Sequence, residues 1–166
     1  MPETMQTAGN WPSTNLSAGH HADALGSGPL SVALIGPIES RRRSIAAVLA
    51  SLQGGITREF IAYPQIDDVP RLLEADYDVI IVELDSNPEY ALELVENICS
   101  NSSVTVMVYS EPVFPEMLVR CMRAGAREFL PQPVTASTIA EAMVRASVRR
   151  PAGRSVKKPT KTELHL

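Results

Sequence analysis

Between Asp78 and Glu83 the chain reads Asp-Val-Ile-Ile-Val-Glu, four β-branched apolar residues in a row with no polar alternation. A strand with one wet face alternates apolar and polar side chains, whereas a strand apolar at every position is buried on both faces. The segment therefore calls for a sheet with a layer packed on each side, and no other stretch constrains the fold as much. Four shorter runs share its character: Ser31–Ile35, closed by Gly36-Pro37, then Glu59–Ala62, Val104–Val108 and Glu128–Leu130.

Helical periodicity fills the intervals. From Glu39 to Leu52 the residues Ile45, Val48, Leu49 and Leu52 share one face, and Gly54-Gly55 supplies a stop. Asp67–Glu74 reads as a short helix with Asp67 as N-cap and Val69, Leu72 and Leu73 inward. Glu89–Cys99 places Ala91, Leu94, Val95 and Ile98 together, and Pro115–Ala124 runs to a natural end at Gly125. Ser137–Val148 turns Ile139, Met143 and Ala146 inward, with Thr138 and Glu141 at capping-box spacing. Parallel strands need long crossovers, and helices between strands supply them. Five such units predict an α/β three-layer sandwich, a flavodoxin-like (βα)5 fold with a parallel sheet in the order 2-1-3-4-5. A site in that fold forms where the first, third and fourth strands end.

The 166 residues, 45% apolar and 20% charged, suit one sizeable core with tails. Residues 1–29, rich in Gly, Ser, Asn, Pro and Thr, read as a disordered leader, and His20 and His21 as part of a flexible polar segment. Residues 30–149 are the folded domain, and residues 150–166 a basic linker or tail. Residues 30–148 hold nine Lys/Arg against sixteen Asp/Glu, while residues 149–166 hold six against one. An acidic domain with a basic tail lacks the footprint of a nucleic-acid-binding fold. Arg41-Arg-Arg43 is the exception, a cationic run at a helix start where the dipole opposes it, which points to a surface contact. No apolar run reaches the ~18 residues of a membrane span, so no membrane insertion is expected. The N-terminus lacks a basic stretch followed by an apolar run, so no secretory signal is expected. Cys99 and Cys121 lack metal-ligand spacing and read as reduced, buried or half-buried thiols of a cytoplasmic protein.

Ala124-Gly-Ala-Arg-Glu-Phe-Leu-Pro-Gln-Pro133 resembles the response-regulator receiver signature of Ala-Gly-Ala, an aromatic and Lys-Pro. Tyr77–Glu83 resembles the strand that ends in the phospho-accepting Asp. Gly125 follows Ser110 by the fifteen residues that receivers keep after their Ser/Thr switch residue. The resemblance covers residues 31–148 and implies the CheY-like version of the fold. It also implies a pocket in which an acid pair holds Mg²⁺, an Asp takes the phosphoryl group, and a Ser/Thr and a Lys contact its oxygens. Here the pocket is degenerate. Gly36 and Pro37 stand for the acid pair, Glu83 for the acceptor and Gln132 for the Lys, leaving hydrogen-bonding capacity without its charge. Only Ser110 survives. No bound metal, no cofactor and no catalysis are expected. Asp85 offers an alternative acceptor, with Glu39 as one metal ligand; the bland readings are a solvated loop carboxylate and an acid near a helix N-terminus. The switch-aromatic position holds Phe129, which lacks a hydroxyl to keep it outward and is expected buried. By resemblance the Gln132-Pro133 bond is cis.

The missing acid pair, Val-Glu-Leu-Asp85 and Glu-Phe-Leu-Pro-Gln-Pro133 together resemble the N-terminal atypical receiver of the CpaE/TadZ proteins of Flp (tight-adherence) pilus assembly. That resemblance implies a localisation and self-association module of the bacterial cytoplasm, recruited to a cell pole and followed by a MinD/ParA-like ATPase. No G-x-x-x-x-G-K-[ST] occurs in this sequence, so the chain is expected to be a fragment or a stand-alone version. The resemblance also implies protein partners and a homodimer through the face of the fourth helix, fifth strand and fifth helix. That face carries Glu116, Arg120, Arg123, Arg127, Glu128, Glu141 and Arg145, mixed charges that suit a two-fold contact or an ordinary solvated surface. Two other functions remain open: a phosphorelay receiver using Asp85 or Glu83, and nucleic-acid binding through the arginine run and tail.

Overall fold

The computed structural model describes residues 28–53 and 57–150. The leader to residue 27, the Gly54-Gly55 stop and the tail from Pro151 lie outside the described residues. Five strands alternate with five helices: β1 (Val32–Ile35), α1 (Glu39–Gln53), β2 (Thr57–Phe60), α2 (Val69–Leu73), β3 (Val79–Glu83), α3 (Pro88–Asn101), β4 (Thr105–Ser110), α4 (Pro115–Ala124), β5 (Glu128–Pro131) and α5 (Ala136–Arg149). The strands form one sheet in the order β2-β1-β3-β4-β5, and every pairing is parallel.

The central strand explains the layering. All five residues of β3 are buried. Ile80 and Val82 pack in a core with Leu94, Val95 and Ile98 of α3 and Cys121 of α4. Val79 and Ile81 point the other way, into a core with Ile45 and Leu49 of α1 and Ile139 and Met143 of α5. The period of two sends alternate side chains to opposite faces, so an unbroken apolar run becomes two half-cores.

Local signals place most element ends. Gly125 ends α4 with a positive φ of 117°, and its N–H returns to the Cys121 and Met122 carbonyls. A Cβ there would also lie 2.6 Å from Cys99, so the position excludes side chains twice over. The Gln132-Pro133 bond is cis, as the resemblance implies. Cys121 is buried and Cys99 half-buried, both free thiols.

Several expectations shift. The second strand is Thr57–Phe60 rather than Glu59–Ala62, because it pairs residue for residue with β1 and stops where β1 stops. Ile61 beyond it is 73% exposed. The segment before α2 is a 3-10 turn, Ile66–Asp68, and neither Asp67 nor Asp68 caps the helix with its side chain. Leu52 is exposed, in the last turn of α1. At α5 the cap is Thr135, whose Oγ1 accepts from Thr138 N–H at 3.2 Å, instead of a Thr138–Glu141 box. Phe129 is half-buried rather than buried, since β5 is an edge strand and its ring has one packed flank.

Candidate functional site

The carboxyl ends of β1, β3 and β4 meet at the switch point, and each contributes a side chain or a loop. The Glu83 side chain is fully buried there. Its Oε1 accepts from Ile38 N–H at 3.0 Å, and its Oε2 accepts from Ser86 N–H at 2.9 Å and from the Ser86 hydroxyl. Burying a carboxylate is costly unless hydrogen bonds replace its water. Glu83 meets that condition with main-chain donors from the loops after β1 and β3. Both oxygens are therefore committed to holding those loops.

Tyr109 fills the rest of the space. It lies directly opposite Glu83 in the β3–β4 register, is fully buried, and its hydroxyl donates to the Ile35 carbonyl at 3.3 Å. A Cβ on Gly36 would overlap Tyr109 Oη and lie 3.0 Å from Glu83 Oε1. Gly36 is thus required by a close approach. Its N–H donates to Phe60 O at 3.0 Å and its carbonyl accepts from Arg42 Nη1 at 2.8 Å. The position where a receiver carries an acid cannot accommodate one beside Tyr109. A second phenol closes the floor, with Tyr63 Oη donating to the Glu83 carbonyl at 2.7 Å. Burial, and after it the charge of Glu83, push both the Tyr63 and Tyr109 phenols well above their ordinary range, so both remain protonated donors.

Ser110 is fully buried and donates its hydroxyl to the Glu111 carbonyl at 2.5 Å. Gln132 is joined to it through the main chain, Gln132 N–H to Ser110 O at 2.8 Å. Its side-chain Nε2 is buried with no hydrogen-bond partner among the described residues. Among the described residues, those a Mg²⁺ ion would need are not assembled. Gly36 and Pro37 offer no carboxylate, Glu83 is turned onto N–H and O–H donors, and Glu39 is exposed. Asp85 Oδ2 accepts from Arg41 Nη1 at 2.5 Å and from Glu111 N–H at 3.1 Å. The site does not fit the metal that the fold family uses.

The arginine run is engaged within the chain, although Arg43 stays largely exposed. Arg42 is buried at 5% exposure and binds Glu59 at 2.9 Å through Nε. Arg43 reaches the same carboxylate at 3.4 Å, and Arg41 binds Asp85 and Glu111. All three have partners within the chain. Tyr63, Ser86, Tyr109, Glu111 and the roles of Arg41 and Arg42 escape a reading by linear motif. The one clue was the oddity of cations at a helix start.

The charged face is also partly spoken for. Arg120 forms a two-bond pair with Glu89 on α3, at 2.9 and 2.7 Å, and Arg145 forms one with Glu128, at 2.8 and 2.9 Å. Glu116, Arg123, Arg127 and Glu141 are exposed. The same face carries exposed apolar side chains that charge counting overlooked, among them Val119 and Met122 on α4.

A scan against protein-family models and a search of curated proteins found no match. Solved structures do match. A protein assigned to pilus assembly as CpaE, from Burkholderia thailandensis, is 21% identical with a TM-score of 0.61, over 71% of this chain and 98% of that one. A protein assigned as pilus assembly-related, from Burkholderia pseudomallei, is 16% identical with a TM-score of 0.63, over 75% of this chain and 93% of that one. The signal receiver domain of a DNA-binding response regulator from Colwellia psychrerythraea is 18% identical with a TM-score of 0.59, over 73% of this chain and 99% of that one. Likeness at these identities speaks for the fold. This chain has the CheY-like fold of response-regulator receivers, and pilus-assembly proteins of the CpaE kind are among the structures that share it.

Proposed function

We propose that the chain is a non-catalytic pseudo-receiver, a protein-interaction and localisation module of Flp pilus assembly that works in the bacterial cytoplasm ahead of a MinD/ParA-like ATPase. Residues 30–149 are the receiver-like domain, residues 1–29 its leader and residues 150–166 its basic linker or tail. The observation that carries this reading is the filled switch point. Glu83 spends both carboxylate oxygens on loop N–H and O–H groups, and Tyr109 occupies the space over Gly36. The pilus-assembly structures among the fold's relatives support the cellular setting.

The face of α4, β5 and α5 is the proposed contact, as a homodimer. Arg145 and Glu128 are paired within the chain, and Arg120 and Arg123 line the groove between α3 and α4 instead, so exposed Arg127 and Glu141 with Val119 and Met122 supply the contact. An apolar centre ringed by charge suits an interface. Light scattering of the chain at rising concentration tests it. A dimer that Met122→Asp converts to monomer is expected; a monomer at every concentration contradicts self-association.

A phosphorelay role through Asp85 has its carboxylate in view, but Oδ2 is held by Arg41 and the Glu111 N–H. Nucleic-acid binding through the arginine run loses ground because Arg42 is buried and all three arginines have carboxylate partners.

A further inference from the structure

Of the three arginines at the start of α1, two serve the helix's own packing, since Arg42 and Arg43 both hold Glu59 on β2. Arg41 does something else. It reaches across the switch point to the far loops, placing Nη1 on Asp85 Oδ2 at 2.5 Å and Nη2 on Glu111 Oε2 at 2.6 Å. Asp85 belongs to the loop after β3 and Glu111 to the loop after β4. The Glu111 N–H closes the ring by donating to the same Asp85 Oδ2 at 3.1 Å. Ser110 Oγ braces the second loop from beneath through the Glu111 carbonyl. One planar guanidinium thus ties together two loops that a phosphorylatable receiver ties through a metal ion and a phosphoryl group. The fork suits this geometry, because its parallel donors address two acceptors at once and its charge persists at every ordinary pH.

We infer that Arg41 is a permanent, built-in cation that stands in for the metal's positive charge and holds the two loops in one arrangement with no ligand. The inference rests on the pseudo-receiver reading and adds a mechanism to it: the module is locked rather than merely unable to switch. It also accounts for a cation against the helix dipole, since two carboxylates face the guanidinium there.

Amide hydrogen exchange on the full chain tests it. In Arg41→Gln, amides of residues 84–87 and 110–114 are expected to exchange about five- to tenfold faster, while the interiors of β3 and β4 keep their protection. Arg43→Gln, from the same run but bound only to Glu59, leaves those loops unchanged. In an Asp85→Asn background Arg41→Gln adds little, because the pair acts as a unit. Arg41→Lys restores part of the protection, a point charge being unable to fork. Unchanged loops in Arg41→Gln, or a uniform rise that includes β3 and β4, overturns the inference. So does a wild-type chain whose loops gain protection from millimolar Mg²⁺. Phosphate uptake by the wild-type chain overturns the pseudo-receiver reading, and it is read separately by mass, so the two failures are distinguishable.

Discussion

Replacing Gly36 by Ala adds one methyl group at the most crowded point of the switch region. The new carbon would overlap Tyr109 Oη and lie 3.1 Å from Cζ of the same ring, inside the separation of about 3.5–4.0 Å at which carbons attract. Tyr109 has nowhere to retreat, for it is fully buried among Leu34, Ile81, Met107 and Leu130. Either the ring shifts and gives up its bond to the Ile35 carbonyl, or β1 moves against its partners. Overpacking costs about 1–3 kcal/mol and the lost buried hydrogen bond about 1 kcal/mol more, so a destabilisation of about 2–4 kcal/mol is expected. With a mid-range slope of about 2 kcal/mol per molar urea, the unfolding midpoint falls by roughly 1–2 M. Adding Tyr109→Phe removes the overlapping oxygen and should return part of the loss, a coupling of about 1–2 kcal/mol between the two positions. A Gly36→Ala chain within about 0.5 kcal/mol of wild type would refute the reasoning, since that is the range of an ordinary surface change. Strict additivity with Tyr109→Phe would refute it as well.

Three further outcomes follow from the same geometry. Glu59→Gln strands the buried Arg42 guanidinium without its carboxylate and should cost about 3–5 kcal/mol in denaturant unfolding, whereas Arg43→Gln costs under about 1 kcal/mol. Gln132→Met removes a buried amide nitrogen that has no partner among the described residues and should leave the unfolding midpoint unchanged or raise it. The Arg120 guanidinium beside Glu89 holds its carboxyl below the usual carboxylate range, so this pair stabilises the fold above the unfolded carboxyl pKa and the gain is lost as pH falls through the lowered folded value. Wild type and Glu89→Gln, compared by thermal unfolding in low salt, should differ near neutral pH and converge in strong acid; a gap that persists in acid would contradict the assignment.

The fold was legible because its signals are local. Val79–Val82 announces burial on both faces, and Gly125 announces a helix end, without knowledge of anything distant. The residue types at Gly36, Pro37, Glu83 and Gln132 are legible too. How they fill the switch point is not. Tyr109 faces Glu83 only through the β3–β4 register, and a register is a property of two strands rather than of either one. The same holds for β2, whose limits are set by pairing with β1, and for Arg41, whose partners lie 44 and 70 residues away in sequence. An arginine run looks alike whether it meets solvent, nucleic acid or the protein's own carboxylates. Long-range pairing decides among them, and only the folded chain shows it.

Side chains of the protein itself complete the switch point, and on the pseudo-receiver proposal no phosphoryl acceptor is left there. Intact mass measurement after incubation with acetyl phosphate and Mg²⁺ tests it most directly. The mass of the wild-type chain is expected to stay unchanged, as is that of Glu83→Gln. A stoichiometric gain of one phosphate, lost in Asp85→Asn or Glu83→Gln, would contradict the account.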